Sequence, residues 1–270
     1  MKDKVEKRYD VNERQKAFYD FKKKNLATKA WSNIRNGILN KIRKNVGVQE
    51  QIYTLHKTWM GDLSQKKVLD LGCFSGNFHS IYLAKNSKEY IGIDLSDTAI
   101  KKLQQEINNF PNARAEAIDF LSDSFNEKDF DLIYAYGVLH HFENLNELTD
   151  RLKEKLNSAG EIISYDPLRT SLPIKVIRLL YRPFQTDKDW EWPFSKETYY
   201  KFSKVFEVKD RRAVLGKAKW FFLINILPLP YGKIETLGKK WHNEDWEKSK
   251  ISDSHMFNCM HLTMLMQKKD

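Results

Sequence analysis

The chain predicts an α/β fold built on a mostly parallel sheet, and three observations carry that expectation. An apolar run at Val68, Leu69 and Leu71 breaks into the glycine-bounded turn Gly72-Cys73-Phe74-Ser75-Gly76. From there to Pro167, short apolar runs alternate with segments patterned as amphipathic helices, the order that right-handed strand-helix-strand crossovers require. Acidic or histidine-bearing turns then follow the strands, at the carboxyl edge where open α/β sheets bind their ligands.

The 270 residues suffice for one large domain with embellishments. The formal net charge of +10 would suit a polyanionic partner. Lysines are nevertheless scattered among aspartates and glutamates, so a solvated basic surface is the preferred reading. With only Cys73 and Cys259 present, neither a disulfide framework nor a zinc cluster is expected, and a reducing cytoplasm fits. Residues Met1 to Lys7 lack the apolar core of a signal peptide. The longest apolar run, Trp220 to Pro230, contains Asn225 and two prolines. It falls short of the ~20 residues a membrane-spanning helix needs, so no span is expected and the run reads as a buried or lid-forming segment.

Taken in order, residues Val11 to about Thr58 read as helical throughout, with Trp31, Ile34, Ile38, Leu39 and Ile42 at helical spacing. A second stripe, Ile52, Leu55 and Trp59, ends at Gly61. Tyr9, Phe18, Tyr19 and Phe21 place aromatic rings in an otherwise charged arm that can fold over a ligand. Strand one is Val68 to Leu71, apolar on both faces as buried parallel strands are. Strand two is Tyr90 to Asp94, followed by Leu95-Ser96-Asp97, a helix cap, and by Ile100, Leu103 and Ile107 on one helical face. Strand three spans Ala113 to Ala117 and leads into Ile118-Asp119-Phe120. Strand four, Phe130 to Tyr136, runs into Gly137-Val138-Leu139-His140-His141-Phe142. A helix bearing Leu145, Leu148, Leu152 and Leu156 ends at Ser158-Ala159-Gly160, and strand five follows as Glu161 to Tyr165 before Asp166-Pro167.

Beyond Pro167 the alternation loosens. A helix over Ile174 to Tyr181 precedes an aromatic loop with Trp190, Trp192 and Pro193, and a helix from Lys196 to Lys204 leads to strand six at Phe206 to Val208. Residues Gly216 to Lys250 are too long for a plain connection and are expected to carry helices. Met256 to Met266 alternates as a closing strand does.

Five segments in order resemble the class I S-adenosylmethionine-dependent methyltransferases over roughly Lys67 to Pro167. These are the loop Asp70-Leu71-Gly72-Cys73-Phe74-Ser75-Gly76, the acidic ends of strands two and three, the strand-four run Phe130 to His141, and Leu156 to Ile163. The resemblance implies a Rossmann-like seven-stranded, mostly parallel sheet with an antiparallel last strand. Around it come an N-terminal helical arm, 1–60, and a methyltransferase domain, 61–270, with helical or loop cap insertions near 167–200 and 216–250. It also implies S-adenosyl-L-methionine as the methyl donor, bound by Asp70, Gly72, Cys73, Phe74 and Gly76 of the loop. Asp94 with Leu95 would hold the ribose and Asp119 with Phe120 the adenine. An aromatic face near the sulfonium would favour its charge, and Tyr136 or an N-terminal tyrosine such as Tyr9 or Tyr19 can supply it. Phe74 departs from the pattern, since the family usually has glycine there. A nicotinamide-dependent dehydrogenase would need Gly-x-Gly-x-x-Gly, a spacing this loop lacks.

Methyl transfer needs an acceptor that is positioned, desolvated and often deprotonated. His140 and His141 stand where the acceptor should approach, and an imidazole titrates near neutrality, so one of them is the expected general base. Asp166 at the end of strand five can pair with such a histidine or touch substrate. No metal is expected. Neither cysteine follows a proline and no Asn/Asp-Pro-Pro-Tyr/Phe run follows strand four, so the resemblance does not extend to cytosine-C5 or adenine-N6 nucleic-acid enzymes. The leading expectation is transfer to an oxygen or nitrogen of a small-molecule acceptor such as a sugar, lipid precursor or secondary metabolite. RNA methylation is the alternative suggested by the basic arm. A non-catalytic S-adenosylmethionine-binding scaffold is the third.

Overall fold

A computed structural model describes residues 2–21, 42–181, 190–224 and 231–269, together with the single positions 29, 33, 37 and 40. Its centre is a seven-stranded sheet in the order β3-β2-β1-β4-β5-β7-β6. The strands are β1 (Lys67–Leu71), β2 (Glu89–Asp94), β3 (Ala113–Ala117), β4 (Phe130–Tyr136), β5 (Leu156–Pro167), β6 (Phe206–Val214) and β7 (His261–Lys268). Pairs β1-β2, β1-β4, β2-β3 and β4-β5 are parallel, whereas β7 runs antiparallel to both β5 and β6. The last strand is therefore the antiparallel one, as the resemblance implied.

Both faces of the central strands are covered, which is why their sequences are largely apolar, with the carboxylate of Asp70 as a buried exception in β1. Leu69, Leu71, Ile91, Ile93, Ile133 and Ala135 enter one core, while Val68, Tyr90, Leu132 and Tyr134 enter the other. The helices are α1 (Lys2–Phe21), α2 (Val48–Met60), α3 (Ser80–Asn86), α4 (Asp97–Ile107), α5 (Leu145–Lys155), α6 (Leu172–Tyr181), α7 (Lys196–Val205), α8 (Phe221–Ile224), α9 (Tyr231–Ile251) and α10 (Asp253–Phe257). Ser96 caps α4 by accepting from Ala99 N, and Asn144 caps α5 through Asn146 N and Glu147 N.

Four boundaries differ from the sequence expectation. The N-terminal helix is not continuous to Thr58, because Gly47 at φ 77° separates α2 from the turn before it. Trp31, Ile34, Ile38 and Leu39 lie outside the described residues. β5 starts at Leu156 with no intervening turn, since Leu156 pairs with Phe130 before a register shift. Gly160 makes room for this, as a Cβ there would lie 2.7 Å from Leu156 Cδ2 and 2.8 Å from the Phe130 carbonyl. β6 extends to Val214 because pairing with β7 accommodates Arg211 and Arg212 through ion pairs with Asp253 and Asp210. Met256 belongs to α10, capped by Ser252, so the closing strand begins only at His261.

A buried hydrogen-bond chain ties α2 to the sheet. Thr263 Oγ1 donates to the Ser164 carbonyl at 2.6 Å, so it accepts at 2.8 Å from His56 Nε2–H, and His56 Nδ1 accepts from Tyr134 Oη at 3.0 Å. That ring is neutral, and burial lowers its pKa from 6.5 to about 3. A base protonated only on unfolding adds stability that is complete above pH 6.5 and is lost as pH falls toward 3. His56→Gln should therefore destabilise the protein at pH 7, and the gap from the parent should narrow by about 2 kcal/mol at pH 5. Urea unfolding of both proteins at the two pH values measures it, and a constant gap contradicts the neutral buried ring.

Candidate active site

The carboxyl ends of β1 to β4 open into a cleft of about 1070 Å³, a size suited to a nucleoside-bearing ligand. The loop after β1 forms its floor. Gly72 (φ 69°) approaches the β4 turn so closely that a Cβ would meet Val138 Cγ2 at 2.4 Å. Phe74, where the family usually has glycine, adopts φ 49°, a left-handed conformation that L side chains avoid. Its backbone N–H donates to Asp94 Oδ2 at 3.1 Å, so the strained residue is fixed by the next strand's carboxylate. Phe74 is 40% exposed and lies on the cleft wall.

Asp94 also accepts from Ser96 N at 2.9 Å through Oδ1. The carboxylate is thus fixed from both oxygens by backbone N–H groups while it faces the cleft, and an acceptor-only group so placed suits a ribose hydroxyl. Burial raises the Asp94 carboxyl above its ordinary value, against the backbone donors of Ser96, Phe74 and Leu95. Leu95 and Asp119 also line the cleft. Asp119 accepts from Leu121 N at 2.9 Å and from Asn12 Nδ2 at 2.9 Å. Phe120 shows the cleft little of its ring, which packs against Phe125 and Phe142 and is 3% exposed. Tyr136 lines the cleft and stacks on Tyr165 at 4.8 Å.

Asp70 and Cys73 do not reach this space. Asp70 is fully buried beneath the loop, accepting from Asn77 Nδ2, Ser80 Oγ and Tyr90 Oη at 2.5, 2.6 and 2.8 Å. Cys73 points into the core, where a Cβ at Gly92 would meet its Sγ at 3.0 Å, and burial pushes its thiol pKa up. The motif that names these residues marks the loop, but their side chains hold its base. Gly76, in contrast, is on the wall. The side chains of Tyr9 and Tyr19 lie outside the described residues.

The histidines divide. His140 is buried, and its backbone N and Nδ1 lie 3.1 and 2.8 Å from Asp166 Oδ1. Asp166 is itself fully buried, and desolvation raises its pKa to about 7 against the backbone donors of His140 and Leu139. His141 packs against His140 at a tilt of 36° with ring centroids 4.1 Å apart, and it is the histidine on the cleft wall. Its Nδ1 is 2.7 Å from the Trp190 carbonyl, an acceptor only, so Nδ1 carries the proton and Nε2 the lone pair.

The far wall of the cleft comes from residues outside the sequence expectation. Val11, Asn12, Gln15 and Lys16 of α1 cover the cleft, held by the Lys16–Asp97 and Ser96–Asp20 contacts and by Phe18 edge-on to Trp190 at 5.5 Å. Their i, i+1, i+4, i+5 spacing on one helix face is the local signal for this wall.

A family model described as a methyltransferase domain matches residues 69–162. A carboxy-S-adenosyl-L-methionine synthase of Helicobacter pylori is 36% identical over 179 residues, 62% of this chain and 70% of the relative. A tRNA U34 carboxymethyltransferase of Nautilia profundicola is 37% identical over 105 residues, 38% of this chain. The chain spans 34% of that relative's length. The N-methyltransferase NodS of Bradyrhizobium japonicum, solved with S-adenosyl-L-homocysteine, shares the fold with a TM-score of 0.51 at 15% identity, covering 82% of this chain and 87% of that one. The chain belongs to the class I S-adenosylmethionine-dependent methyltransferases.

The site residues fit that family's donor, since the acceptor groups of Asp94 and Asp119 line one cleft beside the glycine-bounded loop, with the Tyr136 ring on the same wall. Asp94→Ala should weaken S-adenosylhomocysteine binding at least about tenfold, the loss of hydrogen bonds to a charged acceptor. Titration calorimetry checks this, and unchanged affinity would remove Asp94 from the site.

Proposed function

We propose that the chain transfers a methyl group to an oxygen or nitrogen of a small-molecule acceptor, with His141 as general base. The observation that carries the reading is the His141 imidazole on the cleft wall, its tautomer set by the Trp190 carbonyl. The donor supplies a methyl carbon already activated by a sulfonium, so the protein's task is to bind, orient and deprotonate the acceptor. Asp94 holds the ribose hydroxyls, and Asp119 accepts from the adenine amine. The Tyr136 ring favours positive charge beside it. His141 Nε2 takes the acceptor proton, and the resulting imidazolium keeps Nδ1–H on the Trp190 carbonyl. The buried His140–Asp166 pair positions the turn that carries His141.

The cleft's charge supports a small acceptor over RNA. Among the described lining residues, Asp94, Asp119, Glu143, Glu147 and Asp150 outnumber the one cationic side chain, Lys16. A phosphate backbone would meet repulsion there. A second reading, in which the donor itself is modified, is favoured by the identity to the Helicobacter pylori synthase. Product analysis separates the two, because methyl transfer yields S-adenosylhomocysteine with a methylated acceptor and the second yields a carboxylated sulfonium. With an acceptor found by screening hydroxyl and amine compounds, His141→Ala should lower kcat by about 10²- to 10⁴-fold and leave S-adenosylhomocysteine affinity intact. Turnover equal to the parent's would contradict the assignment, and methylation of tRNA alone would favour the RNA alternative.

A further inference from the structure

The first insertion carries a helix whose apolar stripe faces solvent. α6 exposes Leu172, Lys175, Val176, Leu179 and Leu180. These follow the i, i+3, i+4, i+7, i+8 spacing that an amphipathic helix ordinarily turns into a core. Leu172, Leu179 and Leu180 are 72%, 76% and 70% exposed. The second insertion meets this helix at its start, where Lys219 Nζ donates to Ser171 Oγ at 2.9 Å and to the Asn258 carbonyl at 2.7 Å. Asp245 of α9 fixes the base of that insertion by accepting from the backbone N–H groups of Gly216, Lys217 and Ala218. From there Trp220 and Leu223 are exposed, while Phe221 is buried as the anchor. Exposed apolar side chains along one helix face, with two more on the segment that the Lys219–Ser171 hydrogen bond joins to it, mark an interaction surface.

The charge pattern selects the partner. No acidic residue occurs between Asp166 and Asp187 or between Asp210 and Glu235, although both stretches contain arginines and lysines. Some of those cations are paired within the protein, as Arg211 is with Asp253, Arg212 with Asp210 and Lys217 with Glu244. Arg169, Lys175 and Lys233 are exposed. A second copy of the chain docking by two-fold symmetry would bring Lys175 and its neighbours against their own like charges. An anionic lipid surface satisfies both the apolar stripe and the cations.

We infer that α6 and the Trp220 to Leu223 segment dock on an anionic phospholipid bilayer, with the leucines at the acyl boundary and Arg169 and Lys175 among the headgroups. The association is peripheral, since no helix among the described residues is long and apolar enough to cross a membrane. It stands independently of the acceptor and of the donor. α6 leaves the sheet at the end of β5, the strand that also bears Asp166.

Co-sedimentation of the full chain with vesicles tests this. The chain should pellet with phosphatidylcholine–phosphatidylglycerol vesicles and much less with phosphatidylcholine alone. Leu179→Glu combined with Leu180→Glu should abolish pelleting at an unchanged thermal midpoint, and Lys175→Gln should weaken it about fivefold. If the double variant fails to fold, Lys175→Gln, which keeps the apolar face, decides the matter alone. Failure of the parent to pellet with the anionic vesicles would overturn the inference. So would equal pelleting of parent and Lys175→Gln, or a dimer in velocity sedimentation that the double variant dissociates without any vesicle binding.

Discussion

The fully buried Asp70 carboxylate is the constraint on which the site depends. It joins the end of β1 to Asn77 in the loop, to Ser80 at the start of α3, and to Tyr90 on β2. Three donors around one buried acceptor leave the loop few alternative paths, because losing any of them would strand a desolvated charge. Burial nevertheless outweighs the donors and raises the carboxyl to about 6, so the group is ionised at neutral pH but held at a cost. From this base the loop reaches Phe74, whose left-handed backbone is secured in turn by Asp94. Binding residues and structural residues are thus connected through the same hydrogen bonds.

The central strands were legible because burial on both faces writes itself as largely apolar runs, and the boundaries of β4 agree with the sequence reading; the edge strand β3, with no buried residue, is marked only by its place in the alternation. Where charge interrupts burial, legibility fails. Arg211 and Arg212 concealed the second half of β6, since nothing in the local sequence shows that Asp253 and Asp210 compensate them. Leu156 looked like the last residue of a helical stripe, but its partner is Phe130 across the sheet. Such pairings are tertiary facts with no local signature.

The same limit applies to the site. A motif names a stretch of chain, not the burial of each side chain, so the sequence groups Asp70 and Cys73 with Asp94 although both are fully buried beneath the loop and only Asp94 reaches the cleft. Neighbouring His140 and His141 were interchangeable in the sequence. Only the fold separates them, giving one to Asp166 and the other to the Trp190 carbonyl beside the cleft. The contribution of α1 was least legible, because Asn12 meets Asp119 across 107 residues of sequence.

The central claim is that the space between the β1 loop and α1 is the donor site. Hydrogen exchange read by mass spectrometry, with and without S-adenosylhomocysteine, addresses it most directly. The account predicts added protection in residues 72–79 and in residues 11–16 of α1, with little change in β6 and β7. Protection confined to other segments, or none at saturating ligand, would contradict it.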